Sequence, residues 1–378
     1  MAAGLPVYKE GEKMDSNRIM ALVVVGILVA AAAGGVYLYM NDSDDYDLSV
    51  VYLNKSGYET QMVANEKGFF GDAGVKIKNM TVTGSGADTV NALLAGSADI
   101  AATGEGPVAS AINNSVDDIV VLCNVNASTG GQVWVAGPHI TTDFVLYDKT
   151  AENTDEVLAS WEDAAAEVGG ILKLGVQKGA TTESALKSWL EFMGINYSDF
   201  DASPAEGDIV QLVNVSANEL VSIFALDGEK IELDMMAASQ PYPSNALERI
   251  DGSVKVGDNS DNDGYGISCY ITTKDIYEKK SEVIFKFLNA LKLATDYMQN
   301  EANEDECVSI CKNIIGASDA TVRAVFDIGE FRVSWDDEIS AKTLYNTAQS
   351  KGFTKITLNQ CIGACPQEVK DHIEGMYA

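Results

Sequence analysis

Blocks typical of β-strands alternate with blocks typical of α-helices along most of this chain. A strand-like run at Leu48–Leu53 is followed by a helical pattern over 59–69, and another strand-like run lies at 99–103. A second series begins with a strand, a tight turn and an amphipathic helix over 171–194. Strands that alternate with helices of about ten residues are typical of βαβ units and a mostly parallel sheet. The pattern therefore predicts an α/β fold.

The length of the chain predicts two lobes rather than one. A single hydrophobic core usually stops growing near about 250 residues, and this chain has 378. Hydrophobic residues make up 46 % of it, which is enough for a packed core and excludes a disordered chain. A long helix is predicted over 281–300, and residues 305–378 look entirely helical.

The charge of the chain excludes one class of partner. Acidic residues outnumber basic residues by 56 to 26, so the net charge is −30. A nucleic-acid-binding protein needs a basic surface, which this composition does not supply. The only histidines are His139 and His372. A three-histidine metal site is therefore impossible, and we predict a binding protein without a cofactor rather than an enzyme.

The N-terminal segment is typical of a membrane anchor. Residues 19–39 contain no charged side chain, and about 20 apolar residues span a bilayer core as a helix. Basic residues precede this segment and four aspartates follow it, which places the first residues in the cytoplasm.

We therefore predict a cytoplasmic tail at 1–18, a transmembrane anchor at 19–40 and a linker at 41–47. The remainder is expected on the extracytoplasmic side of the cell membrane. A cleaved signal peptide is the alternative, because the alanines at 30–33 offer small residues for cleavage.

Six sequence motifs then carry a likeness to a known family. Taken in order, they resemble the substrate-binding proteins of nitrate, sulfonate, taurine and thiamine-pyrimidine ABC importers, and the likeness runs from about residue 48 to 345. The motifs are GYET at 57–60, ANEKGFFGDAGVKIK at 64–78, NALLAGSADIAATGEGP at 91–107, GVQKGATTESALKSWLE at 175–191, AASQPYPSNALE at 237–248 and KFLNALKLATDYM at 286–298.

The resemblance implies a bilobed fold of the type II periplasmic-binding-protein kind, with two α/β lobes joined by two crossover strands. By position, lobe one should comprise 48–137 plus 262–378, and lobe two 138–261. The ligand is expected between the lobes, at the carboxyl ends of parallel strands.

The resemblance also implies a function. The leading hypothesis is a membrane-tethered receptor that binds a small solute and delivers it to the permease and ATPase subunits of an ABC transporter. The alternatives are a protein that binds a thiamine-pyrimidine precursor, a pyrimidine-synthesising enzyme on the same fold, and a sensor or redox module.

Three turns between a strand and a helix carry the first candidate ligand-binding residues. Free N–H groups at a helix N-terminus, together with the helix dipole, favour an anion, and hydroxyl groups add further donors. An ordinary turn or helix cap is the alternative at each position. The residues are Ser85 and Gly86, Gly104 and Glu105, and Thr181 and Thr182.

Glu105 complicates a purely anionic ligand, because a carboxylate beside an anion costs energy. A zwitterion such as taurine would satisfy both features, with its ammonium at Glu105 and its sulfonate at Thr181 and Thr182. An amine-bearing pyrimidine is the alternative. Among the other motifs, Ser239 and Gln240 resemble cleft-facing family positions, and Tyr58 is interpreted as either a pocket wall or a surface aromatic.

Four of the six cysteines form two pairs at helical i, i+4 spacing. They are Cys307 with Cys311 and Cys361 with Cys365. A metal site is one interpretation. On the extracytoplasmic side of a membrane, disulfides are favoured. We predict bonds that join one pair to the other, because the geometry within one helix suits a disulfide poorly.

Overall fold

The structure is a computed structural model that describes residues 46–82, 85–114, 118–225 and 233–378. The predicted cytoplasmic tail, the membrane anchor at 19–40 and most of the linker lie outside the described residues. Within the described ranges, no helix is both long enough and apolar enough to cross a bilayer.

Twelve strands form two six-stranded sheets, one in each lobe. The strands are β1 (Leu48–Leu53), β2 (Ile77–Val82), β3 (Ile100–Gly104), β4 (Ile119–Ser128), β5 (Gln132–Ala136), β6 (Leu172–Val176), β7 (Tyr197–Ser198), β8 (Val210–Asn214), β9 (Met235–Ser239), β10 (Val254–Asp258), β11 (Gly266–Thr273) and β12 (Gly329–Ser334).

Fourteen α-helices in the described ranges surround these sheets. They are α1 (Glu59–Glu66), α2 (Phe69–Asp72), α3 (Gly86–Leu94), α4 (Glu105–Asn114), α5 (Thr154–Glu167), α6 (Thr181–Phe192), α7 (Ala217–Phe224), α8 (Tyr242–Arg249), α9 (Lys274–Met298), α10 (Glu304–Ile315), α11 (Asp319–Ile328), α12 (Lys342–Ser350), α13 (Leu358–Gly363) and α14 (Gln367–Gly375).

The sheet of lobe one has the spatial order β12-β4-β11-β3-β1-β2. Strand β1 pairs in parallel with β2 and β3, whereas β11 and β12 run antiparallel to their neighbours. Strands β1 and β3 are buried on both faces, as βαβ connections require, and this explains their apolar runs. Helix α9 covers this sheet with Phe287, Leu288 and Leu291, which are fully buried.

The sheet of lobe two has the order β10-β5-β9-β6-β8-β7, with β6 parallel to β8 and β9. Its core contains three tryptophans in contact with one another. The Trp134 and Trp189 rings lie 6.1 Å apart, and the Trp161 and Trp189 rings lie 5.3 Å apart. These large side chains are fully buried, and burial of this kind dominates the stability of such a core.

Two short segments, 129–131 and 259–265, link the lobes, so the predicted bilobed α/β architecture is confirmed. The second link is bonded to the first residue of β5, because the Asn259 N–H donates to the Gln132 carbonyl and the Gln132 N–H donates to Asn259 Oδ1, both at 3.0 Å. The first link departs from the predicted boundary at 137/138. Strand β5 pairs with β9 and β10, so it belongs to lobe two.

The prediction that residues 305–378 are entirely helical is wrong at one place. Strand β12 pairs antiparallel with β4 and forms the edge of the lobe-one sheet. The helical part of this region contacts both lobes, because α12 packs on α4 of lobe one and on α6 of lobe two. The C-terminal region therefore joins the lobe-one sheet and contacts the second lobe.

Candidate functional site

A cavity of about 80 Å³ lies between the two sheets. Its walls come from the β1–α1 loop, the ends of β3, β4 and β9, the start of α6 and the start of β11. We call it the interlobe cavity and define it by Lys55, Ser56, Gly57, Tyr58, Gly104, Glu105, Asn126, Ser128, Gly131, Gln132, Thr181, Ser239, Gln240, Gly266, Ile267, Ser268, Val325 and Ile328.

A side chamber of about 40 Å³ shares five of these residues, including Lys55 and Thr181. It is also lined by Ser85, Gly86 and Thr182. All nine residues proposed from the sequence as ligand-binding therefore line one of these two adjoining spaces. They are Tyr58, Ser85, Gly86, Gly104, Glu105, Thr181, Thr182, Ser239 and Gln240.

The lobes touch where α4 meets the start of α6. The Thr181 hydroxyl lies 3.5 Å from the Gly106 N–H. A Cβ atom at Gly104 would lie 2.5 Å from Thr181 Oγ1, and one at Gly106 would lie 3.0 Å from the Thr181 nitrogen. The two glycines are thus required for the close approach of the lobes.

The turn at Thr181 and Thr182 does not use a hydroxyl to cap helix α6. The N-cap of α6 is Ala180, and no side chain caps it. Instead the Thr182 hydroxyl donates to Gln132 Oε1, and Glu183 accepts the Gly179 N–H. The Thr181 hydroxyl faces the other lobe, at the edge of the interlobe cavity.

The turn at Ser85 and Gly86 matches the alternative interpretation, an ordinary helix cap, more closely than a ligand site. Ser85 and Asp88 form a capping box at the start of α3, and the Ser85 N–H donates to Asp88 Oδ2 at 2.6 Å. The Ser85 side chain is therefore occupied within its own helix. It lines only the side chamber.

Glu105 is 2 % exposed and lies at the floor of the interlobe cavity. Its Oε2 accepts the Ile267 N–H at 3.1 Å, which ties it to the neighbouring strand β11. Burial raises the pKa of Glu105 to about 7, although hydrogen bonds and the positive charge of Lys351 oppose this shift. Glu105 can therefore change its charge near neutral pH.

Lys55 was not predicted, and it is the only basic side chain among the described residues that line the interlobe cavity. No carboxylate in the described part of the chain forms an ion pair with it. Burial lowers the pKa of Lys55 to about 8, and the negative charge of Glu105 partly opposes this effect. Only two residues separate Lys55 from the predicted Tyr58, so the same loop carries both.

Strand residues next to the links were also missed. Asn126, Gln132 and Ser268 line the cavity from β4, β5 and β11. Each is at least nine-tenths buried. Polar residues at the carboxyl end of a buried run such as 119–128 are the sequence signal that could have indicated them.

Neither histidine lies in the interlobe cavity. The His139 ring contacts Asp234 at 3.0 Å, and the His372 ring contacts Asn289 at 3.0 Å. Within the ranges that the structure covers, no cluster of histidine, cysteine and carboxylate side chains could hold a metal ion.

The six cysteines, all within the described ranges, are buried free thiols. The disulfides predicted between the two C-terminal pairs are therefore not formed in the structure. The pairs pack against different strands: Cys311 lies near Glu59 at the β1 side of the sheet, whereas Cys365 lies beside Leu122 of β4. Strands β11 and β3 separate β4 from β1, which explains why the pairs do not meet.

Two α/β lobes that are joined by two links and enclose a cavity define the periplasmic-binding-protein fold. Comparison with family models is more specific, since the model of the NMT1-like family matches residues 42–312. The chain therefore belongs to the NMT1-like family. The comparison with curated protein sequences gives no match.

Solved structures with the same fold include solute-binding proteins and an enzyme. The periplasmic aliphatic sulphonate binding protein SsuA from Escherichia coli matches with a TM-score of 0.60 and 17 % identity, over 83 % of this chain and 90 % of that one. The periplasmic nitrate-binding protein NrtA from Synechocystis PCC 6803 matches with a TM-score of 0.58 and 16 % identity, over 87 % and 85 %. The desulfurization enzyme DSZB matches with a TM-score of 0.57 and 12 % identity, over 87 % and 99 %.

Proposed function

We propose that the protein binds a small anionic or zwitterionic solute in the interlobe cavity and delivers it, chemically unchanged, to the permease of an ABC importer. The observation that carries this proposal is Lys55. Lys55 is a half-buried cation without an ion-pair partner among the described residues, which is unfavourable, and an anion in the same cavity would compensate it.

The other donors of the cavity support an anion as well. Ser56 and Thr181 line its walls, and Thr181 stands in the first turn of α6. Hydroxyl and amide donors suit the oxygens of a sulfonate or nitrate without an arginine. The named ligands of SsuA and NrtA, an aliphatic sulphonate and nitrate, are both small oxyanions.

Glu105 favours a zwitterion over a simple anion. Its carboxylate shares the cavity with Lys55, so one ligand could present an acidic group to Lys55 and an amine to Glu105. Taurine has this arrangement, with a sulfonate and an ammonium on a two-carbon chain. An amine-bearing pyrimidine remains the alternative ligand.

A binding role is favoured over catalysis by the place of the two histidines. DSZB shows that this fold can carry an enzyme. In this chain neither histidine lies in the cavity, so acid–base catalysis would fall to Glu105 and Lys55, to which the proposal assigns ligand binding.

We infer that the binding domain lies on the extracytoplasmic side and that residues 19–40 anchor it in the membrane, since an importer receives its solute there. Protease added to intact cells should release a fragment of slightly reduced mass. A naturally secreted form that begins near residue 34 would instead indicate cleavage.

Thermal stabilisation of the whole chain tests the binding proposal. Taurine, ethanesulfonate, nitrate, bicarbonate and a set of pyrimidines are added to the wild type, to Lys55→Met and to Lys355→Met as a control. A ligand at about 100 times its dissociation constant stabilises by about 2.7 kcal/mol.

We expect Lys55→Met to lose the stabilisation by anions, with affinity lower by about 10- to 100-fold, because a charged hydrogen bond contributes about 1.5–3 kcal/mol. Lys355 is exposed, so the control should behave as the wild type. Anion binding that survives in Lys55→Met, or stabilisation by pyrimidines alone, would contradict the anion proposal.

A further inference from the structure

Gln132 is a nearly buried residue of the cavity wall whose side-chain amide is bonded at only one end. It is the first residue of β5, is 8 % exposed and lines the interlobe cavity. Its Oε1 atom accepts a hydrogen bond from the Thr182 hydroxyl at 2.5 Å. Among the described residues, no group accepts a hydrogen bond from its Nε2 atom. The amide therefore keeps two N–H donors without a partner in the described part of the chain.

The free end of this amide is open to the cavity. Nε2 is not one of the unpaired side-chain atoms that the described residues seal from solvent, and the interlobe cavity is the space that Gln132 lines. Gly266, at the start of β11, lines the same cavity, and a Cβ atom there would lie 3.3 Å from Nε2. Because glycine has no side chain, the space beside Nε2 stays free. A solute in the cavity can therefore reach these donors.

The other contacts of Gln132 hold it in place where the lobes join. Its backbone N–H donates to Asn259 Oδ1, and its carbonyl accepts the Asn259 N–H, both at 3.0 Å. Thr182 lies in the first turn of α6 and is 5 % exposed, so a buried hydroxyl holds the oxygen end of the amide and leaves the nitrogen end for the cavity. A donor that is held in this way loses little freedom when a ligand binds.

We propose that Gln132 binds the solute by donating a hydrogen bond from Nε2 to an oxygen of its acidic group, and that Thr182 is the positioning residue for this amide. The inference rests on the proposed function, because it assumes that an oxyanion occupies the cavity. It extends that function by naming the donor of lobe two: the oxyanion meets the charge of Lys55 from lobe one and the neutral amide of Gln132 from lobe two. Thr182, which the sequence predicted as a ligand contact, acts through Gln132.

Titration calorimetry on the whole chain tests both roles, with ethanesulfonate and taurine as the ligands. The variants are Gln132→Met, Gln132→Glu, Thr182→Val, Thr182→Ser and the double variant of Gln132→Met with Thr182→Val. Gln367→Met is the matched control, because Gln367 is exposed on α14 and does not line the cavity. If Gln132→Met does not fold, Gln132→Glu and Thr182→Val decide by the same criteria.

Gln132→Met removes both N–H donors and should weaken ethanesulfonate by about ten-fold or more, because a hydrogen bond to a charged acceptor is lost. Gln132→Glu keeps an acceptor for the Thr182 hydroxyl but turns a carboxylate towards the solute, so it should weaken ethanesulfonate further. If the bond between Gln132 and Thr182 merely shaped the wall, Gln132→Glu would bind like the wild type, and this result would overturn the inference.

Thr182→Val should weaken ethanesulfonate by about 2- to 10-fold, because the amide is no longer held in one orientation. Thr182→Ser keeps the hydroxyl and should keep most of the affinity. The double variant should bind no more weakly than Gln132→Met alone, since Thr182 then has no amide to orient. Losses that multiply would show that Thr182 contacts the solute itself, and they would refute its positioning role.

The remaining outcomes separate this inference from the proposed function. If ethanesulfonate binds the wild type and both single variants of Gln132 with equal affinity, the anion site stands and the role of Gln132 is refuted. If neither ethanesulfonate nor taurine binds the wild type, the sulfonate function fails and this inference fails with it.

Discussion

Gly106→Ala should weaken ligand binding without weakening the fold. The added Cβ would lie 3.0 Å from the Thr181 nitrogen and 3.2 Å from both the Ala180 carbonyl carbon and the Thr181 Cα, whereas ordinary contacts begin at 3.4 Å. All three atoms are backbone atoms of the other lobe, so no side-chain rotation can relieve the overlap. The two lobes must separate here by about 0.4 Å.

We infer that the lobes open to admit the solute, because the cavity lies between them, so the cost of this separation falls on the closed state alone. Overpacking of a tight contact costs about 1–3 kcal/mol. Since 1.4 kcal/mol corresponds to a factor of ten, the affinity should fall by about 5- to 150-fold. In an open state the methyl group would meet no atom of lobe two. Alanine is also the better helix former in the first turn of α4, by up to about 1 kcal/mol, so the ligand-free protein should melt at the same or a higher temperature.

Titration calorimetry with taurine and ethanesulfonate, together with thermal unfolding of the ligand-free protein, measures both effects. Gly71→Ala is the matched control, because Gly71 lies in the short helix α2 and a Cβ there would meet nothing within 4 Å. Unchanged affinity in Gly106→Ala would refute the reasoning. So would a fall in melting temperature that parallels the fall in affinity, since it would show that the contact supports the fold rather than closure.

Two further predictions concern pH and the thiols. The pKa of Glu105 is about 7 and that of Lys55 is about 8, so raising the pH from about 6 to 9 adds a negative charge to the cavity and then removes a positive one. The affinity for ethanesulfonate should fall over this range. Glu105→Gln should leave a single fall centred below about pH 8, because the charge of Glu105 no longer raises the pKa of Lys55; a flat titration series would contradict both assignments. Thiol titration should detect no reactive cysteine in the native protein and all six after denaturation without a reductant, because all six are buried and free. A count of four or two would instead indicate the C-terminal disulfides.

Local signals were sufficient to predict six of the eighteen residues that line the interlobe cavity. A glycine-rich or hydroxyl-rich turn between a strand and a helix depends on neighbouring residues only, and Gly104 and Thr181 could be named for that reason. Their contact with each other could not be predicted, since it joins residues of different lobes. That a ligand binds at these positions stays a prediction.

Residues placed by long-range pairing were missed. Asn126 faces the cavity only because β11 lies between β3 and β4, and a strand pattern does not reveal its neighbours. The same reason explains the error at the lobe boundary. Strand β5 reads like β4 in the sequence, yet a link of three residues moves it to the other sheet. Strand β12 was missed because it lies among helices.

A net charge of −30 makes it unfavourable for an anion to approach this protein, so the field of the whole chain cannot provide the selectivity. The interlobe cavity meets this difficulty by burial. In a small cavity with little water, the interaction of a solute with Lys55 is stronger than any interaction with the distant surface carboxylates, which salt screens over about 8 Å. Closure around Gly106 and Thr181 creates that low-dielectric space, and Glu105 adds an acceptor within it. Selectivity therefore depends on the closed state, which is why a single methyl group at the lobe contact is an informative place to perturb.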